Sequence, residues 1–239
     1  MPNWCQNSLT ISHNDPALIA RARQAIKDDR LLSEFIPVPQ ELVDTVSGGS
    51  SDAEEQRKLD EQIAKNIETY GFNDWYEFCI NQWGTKWDIS GGEIAGESDT
   101  CLTIYFETAW SPPIEAYRKL DELGFNIEAM YYEDGMAFCG EYTTGHGENS
   151  ISITGDSDWV EANVPSHIDE AFNISESMAA IEEEDEWEAE YEDESEALID
   201  KVIARIKADI EAGDVTAIAE LLSFIPEENL KGFLSEVDN

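Results

Sequence analysis

From Leu120 to Asp200 the chain has no lysine or arginine, and this run closes on its densest acid, residues 182–196. Eleven of those fifteen side chains are carboxylates: Glu182, Glu183, Glu184, Asp185, Glu186, Glu188, Glu190, Glu192, Asp193, Glu194 and Glu196. Only Trp187, Ala189, Tyr191 and Ser195 interrupt them. As a helix the stretch would span roughly 22 Å at about 1.5 Å per residue. That is one negative charge per roughly 2 Å, against about one per 1.7 Å along duplex DNA. Glutamates four apart in a helix repel by roughly 0.2–0.5 kcal/mol per pair. The free segment is therefore expected to fray and to order against a basic partner. Runs of like charge are usually solvated tails. Here, however, Trp187 and Tyr191 stand one helical turn apart and in phase with Leu198 and Val202, a stripe that calls for packing or for a recognition anchor.

The acidity is not confined to that stretch. The chain holds 53 acidic and 14 basic residues, a formal charge of −39. Residues 1–145 contribute 26 acids and 10 bases, and residues 146–239 contribute 27 and 4. Self-repulsion on this scale costs stability, so the charge is expected to have a use. It argues against direct binding to nucleic acid or to an anionic membrane, because phosphate affinity comes from Lys and Arg releasing counterions. The fitting partner is a basic protein. The hydrophobic share of 41%, with 10% aromatic residues, marks globular material and not a wholly disordered polyelectrolyte. The N-terminus lacks the basic and apolar regions of a signal peptide, and no stretch is apolar enough to span a bilayer. The expectation is a soluble protein of the host cytoplasm, with Cys5, Cys79, Cys101 and Cys139 reduced.

Along the chain, Leu9 and Ile11 alternate with Ser8 and Thr10 in a first strand. Asp15-Pro16 reads as an N-cap and first helical residue. An insertion at about 31–82 carries Phe35-Ile36-Pro37-Val38-Pro39 and a helix capped by Asp52 and ended by Gly71. Trp83-Gly84-Thr85-Lys86-Trp87 is expected to enter a strand reaching about Ser90, with Gly91-Gly92 a turn or bulge. Leu102, Ile104 and Phe106 alternate in the next strand. A helix follows from Ser111-Pro112-Pro113 to Gly124, then a strand from Phe125 to Tyr132. Asp134-Gly135 signals a hairpin turn, and Met136 to Tyr142 returns.

Without the insertion, the order is β-α-β-β-α-β plus one hairpin strand. That is an α+β, ferredoxin-like sandwich, with helices on one face of an antiparallel sheet. It covers residues 1–145. Residues 146–175 read as a loop-rich connection, with a short strand at about Ser150–Thr154. Residues 176–239 read as an acidic extension of three short amphipathic helices, with Gly213 and Pro226 as breaks.

Met1-Pro2-Asn3-Trp4-Cys5, Phe35-Ile36-Pro37-Val38-Pro39, Trp83-Gly84-Thr85-Lys86-Trp87-Asp88-Ile89 and Thr108-Ala109-Trp110-Ser111-Pro112-Pro113 together resemble the YubB-like ferredoxin-fold family. Tyr132-Glu133-Asp134-Gly135 and Phe138-Cys139-Gly140 fit it too. The resemblance covers about residues 1–145. It implies the fold and a setting on plasmids or bacteriophages, and it supplies no reaction. The acidic region after about residue 150 lies outside it.

No catalytic constellation stands out. His13, His146 and His167 sit in no nucleophile or metal motif, and carboxylate pairs are too abundant here to identify an acid–base site. The cysteine spacing matches neither a zinc site nor an iron–sulfur site. Asp156-x-Asp158 begins like a calcium loop, but Val160 stands where a third ligand belongs. The expectation is therefore no catalytic residue, no metal and no cofactor. Trp83, Trp87 and Trp110 could stack bases, but with so acidic a surround they are read as locking the insertion against the sheet.

The resulting expectation is a non-enzymatic DNA mimic of a mobile element. It would occupy the basic DNA channel of a host defence protein, in restriction–modification or CRISPR immunity, and would bind through residues 182–196. The competing expectation is an adaptor or assembly protein that docks a partner through its C-terminal amphipathic helices. Homodimerisation is compatible with either.

Overall fold

Alternation of apolar and polar residues makes the strands, and the register between them places the faces. In the computed structural model, which describes residues 2–237 apart from the side chains of 186, 188–190, 192–194 and 234–237, the order begins with β1 (Trp4–Ser12) and α1 (Pro16–Lys27). The insertion forms α2 (Leu31–Phe35), α3 (Gln40–Val43), α4 (Ala53–Tyr70) and α5 (Trp75–Gln82). Then come β2 (Ser90–Glu97), β3 (Cys101–Ala109), α6 (Ile114–Glu122), β4 (Asn126–Glu133), β5 (Phe138–Thr143) and β6 (Gly147–Ser152). The helices α7 (Ser157–Asn163), α8 (Ser166–Phe172), α9 (Ile174–Ala212), α10 (Thr216–Ser223) and α11 (Glu227–Val237) complete the chain. The chain divides into two compact units, Met1–Ser177 and Met178–Asn239.

The first unit is α+β. Its six strands run β2-β3-β1-β4-β5-β6, and every neighbouring pair is antiparallel. The four strands β2-β3-β1-β4 with α1 and α6 are the split β-α-β arrangement expected from the sequence. Leu9, Ile11, Leu102, Ile104, Ile127 and Tyr131 project from the strands into the core. There they meet Ile19, Ala22 and Ile26 of α1 and Tyr117 and Leu120 of α6. Asp15 caps α1, its carboxylate accepting from the Ala17 N–H at 2.9 Å, and Asp52 caps α4 through the Glu54 and Glu55 amides.

The insertion is tied to the sheet by polar contacts at its two ends. The Asp88 carboxylate accepts from the Leu32 and Ser33 amides, each at 2.8 Å. The Trp83 indole Nε1 donates to the Ile36 carbonyl at 3.0 Å. Within the insertion the buried Asn66 amide donates to Thr45 Oγ1 and to the Asn73 carbonyl.

Three local expectations need correction. Residues 83–88 are not a strand; β2 starts at Ser90 and runs through Gly91-Gly92, where the register with β3 shifts. Residues 146–175, read as loop-rich, hold β6, α7 and α8. Val160, Val164 and Ile168 of this stretch are buried, and the Phe172 ring packs tilted against Tyr132 with centroids 6.2 Å apart, so α8 lies on the sheet face opposite α1 and α6. The first C-terminal helix is not short: α9 has 39 residues.

Buried thiols and phenols give this unit an alkaline weakness. Burial, with nearby Asp88 and Asp74, pushes Cys79 up to about 12. Burial, with Asp169, pushes Cys139 up to about 11. Burial also raises Cys5, Tyr117, Tyr131 and Tyr132 well above their usual ranges. A pKa raised by folding means that the stability is fully present below the unfolded pKa and is lost as pH climbs toward the folded one. Each such group removes about 1.4 kcal/mol per pH unit in that window. Thermal melts under reducing conditions should give a Tm that is flat from pH 7 to 8 and falls steeply above about pH 9. A Tm unchanged at pH 10.5 would contradict this.

Candidate functional site

The second unit is built around α9. Within it, residues 178–212 of the helix span roughly 50 Å at about 1.5 Å per residue. Gly213, at a φ of 73°, adopts the left-handed conformation that ends a helix at no steric cost. Asp214 then accepts from the Thr216 amide at 3.0 Å just before α10, whose N-cap position is Val215. That hydrogen bond from the Thr216 backbone holds the Asp214 pKa below the usual carboxylate range.

Residues 182–196 are helical throughout. At about 1.5 Å per residue this helical backbone spans roughly 22 Å. Glu183, Glu184, Asp185 and Glu196 are exposed, and Glu182 is partly buried. The remaining anticipated acids, Glu186, Glu188, Glu190, Glu192, Asp193 and Glu194, lie outside the described side chains. Trp187 and Tyr191 are 66% and 64% exposed, and their rings stack at 5.9 Å with an interplanar angle of 21°. Within this unit they stack on each other and remain open to solvent. Leu198, Ile199 and Ile210 continue an exposed apolar surface. Val202, Ile206, Ala217, Ile218 and Leu221 line a groove of about 330 Å³ between α9 and α10.

In the first unit the charge is segregated. All ten of its basic residues lie on α1, α4 and α6 or at Arg30 and Lys86, and several are already paired. Arg57 meets Glu54 and Glu61 at 3.1 and 2.5 Å, Arg23 meets Glu97 at 2.7 Å, and Arg21 and Arg30 both reach Glu34. Those two guanidinium groups hold the Glu34 carboxyl below its usual range. The six strands, α7 and α8 carry no Lys or Arg at all. Glu93, Glu107 and Glu128 on the strands are exposed, and Glu141 faces His167 with Nε2 2.9 Å from Oε2.

The three tryptophans anticipated as a lock separate. Trp83 is buried and does lock the insertion. Trp87 and Trp110 are 40% and 42% exposed. Trp87 lies 6.3 Å from Trp4 and under the Lys86 ammonium at 4.6 Å. Trp110 holds a φ of 70°, uncommon for a bulky residue. Of the three histidines, His13 accepts from the Asp15 amide at 2.8 Å and His146 sits in the turn before β6. Only His167 is brought against a carboxylate, a pairing that sequence separation hid. Among the described residues no group of three or more His, Cys, Asp or Glu is placed to hold a metal ion. No helix among them is long and apolar enough to cross a membrane.

No protein-family model matches the sequence, and no curated protein matches it. Among solved structures, one described as protein api92 from Yersinia pseudotuberculosis, family DUF1281, is similar at 11% identity with a TM-score of 0.36. The similarity covers 65% of this chain and 99% of that one.

Proposed function

We propose that the chain is a non-enzymatic DNA mimic encoded by a phage or plasmid. It acts in the host cytoplasm and occupies the basic DNA channel of a restriction–modification or CRISPR defence protein. The observation that carries this reading is the helical backbone of residues 182–196, which bears eleven carboxylates in a chain of net charge −39. The resemblance of residues 1–145 to the YubB-like family supports the mobile-element setting. Long-range attraction raises the on-rate for a basic channel, and charge-assisted hydrogen bonds from Arg and Lys hold the complex. The test is competition. A basic protein captured from host lysate at low salt should release labelled duplex DNA as this chain is added. Simultaneous binding of DNA and chain would overturn the reading.

The adaptor reading is favoured by a different observation, the exposed apolar surface of the second unit, where Trp187, Leu198 and Phe224 are 66%, 62% and 78% exposed. Two variants separate the readings. Replacing Trp187 and Tyr191 by Ala should weaken a mimic about threefold but cost an adaptor its aromatic anchors, about 100-fold or more. Replacing Glu183, Asp185, Glu194 and Glu196 by their amides should do the reverse. Affinity for the captured partner, measured by interferometry, distinguishes the outcomes.

A further inference from the structure

The strand register assembles a polar groove on the sheet face opposite α1 and α6. Thr10 pairs with Glu128 and Ser8 with Met130 across β1 and β4. Glu128 pairs with Thr143 and Met130 with Glu141 across β4 and β5. Directly paired residues project from the same face, so the six side chains form two adjacent rows, Thr10–Glu128–Thr143 and Ser8–Met130–Glu141. His167 of α8 flanks one side, and the groove, open to solvent, measures about 310 Å³. Ser8 is only 8% exposed, yet its hydroxyl has no hydrogen-bond partner among the described residues. The Ser8 oxygen opens onto this groove and stays within reach of solvent, so it is available to a ligand that enters. Among the described residues the Glu128 carboxylate likewise makes no ion pair or hydrogen bond.

The groove is rich in acceptors. It offers both Glu128 oxygens, the Glu141 oxygen not engaged by His167, and the Ser8 and Thr143 hydroxyls, with the Met130 thioether chain as an apolar floor. A guanidinium is the complementary group, because it is planar, carries five N–H donors and has no acceptor. Two carboxylates with no Lys or Arg on any strand repel anionic ligands. We infer that this groove receives an arginine side chain of the basic partner, with Glu128 as the charged acceptor, Ser8 as the inner acceptor and Met130 beneath the guanidinium plane. The inference rests on the proposal that the partner is a basic protein, and it adds a second contact, on the first unit, with side-chain specificity that a diffuse polyanion lacks.

The test is an NMR titration of the full chain with the blocked pentapeptide Gly-Gly-Arg-Gly-Gly and its lysine and citrulline counterparts at 150 mM NaCl. Saturable shifts are expected at Ser8, Thr10, Glu128, Met130, Glu141 and Thr143. The arginine peptide should bind tighter than the lysine peptide, and the uncharged citrulline peptide should not bind. Glu128→Gln should weaken the arginine peptide at least about tenfold, as loss of a charged hydrogen bond does. Ser8→Ala should weaken it about threefold or more, and Glu161→Gln on α7 should leave it unchanged. Shifts spread evenly over the acidic surface, equal losses in the Glu128 and Glu161 variants, or equal binding of citrulline would overturn the groove. Because the readout needs no DNA, failure here is distinguishable from failure of mimicry, which the competition assay reads separately.

Discussion

Raising NaCl from 50 to 200 mM should weaken the complex with the basic partner on the order of 10³-fold or more. A protein that neutralises six to ten DNA phosphates loses about 10³- to 10⁵-fold over this range. A ligand that presents carboxylates at nearly the same linear density should impose a comparable salt slope. The attraction between the second unit, with 20 acids and 4 bases over residues 178–239, and a basic channel is mostly between exposed charges. Such charges are screened within about 10 Å at 0.1 M salt. Apolar docking through Trp187 and Tyr191 carries no charge to screen and should change little over this range. The measured slope therefore separates the two readings without any mutation, and a slope near zero would reject mimicry.

Trp83→Ala should destabilise the first unit by about 3–5 kcal/mol, the usual range for removing a buried tryptophan. Such a loss is a large part of the roughly 5–15 kcal/mol that holds an ordinary domain together. Two effects combine at this position. The indole is 4% exposed in the core, and its Nε1–H satisfies the Ile36 carbonyl that fixes the insertion to the sheet. Trp87→Ala, at a half-open surface position, should cost about 1 kcal/mol or less, by the ordinary behaviour of surface substitutions. Urea denaturation followed by near-ultraviolet circular dichroism compares the two. Equal losses would mean that burial and the Ile36 bond do not distinguish these tryptophans.

Elements whose sequence period survives burial could be read directly. Leu9–Ile11 and Leu102–Ile104–Phe106 alternate because each strand has one face in the core, and Asp15-Pro16 and Asp52 announce caps that the structure contains. β2 escaped because its Ser90-Gly91-Gly92-Glu93 start is half-exposed and bulged, which breaks the two-residue period. Residues 146–175 read as loop because Gly, Ser, Asn and Asp dominate them. Val160, Val164 and Ile168 nevertheless recur every four residues, and that spacing was the available signal for helices under an apolar stripe. The stripe of α9 was legible from Trp187 through Val202, whereas its start at Ile174 was not, because the acids of 182–186 interrupt the apolar period there. The acidic segment itself was fully legible. The groove was not, because Ser8, Glu128 and Thr143 meet only through the register of three strands drawn from opposite ends of the first unit.

Mimicry requires that negative charge displace DNA from a basic channel. Its most direct test is an anisotropy competition at 50 mM NaCl between labelled duplex DNA and the full chain for the captured partner. Complete displacement of DNA at a stoichiometric end point is expected, with the chain and DNA never bound together. A stable ternary complex, with anisotropy rising instead of falling as the chain is added, would contradict it.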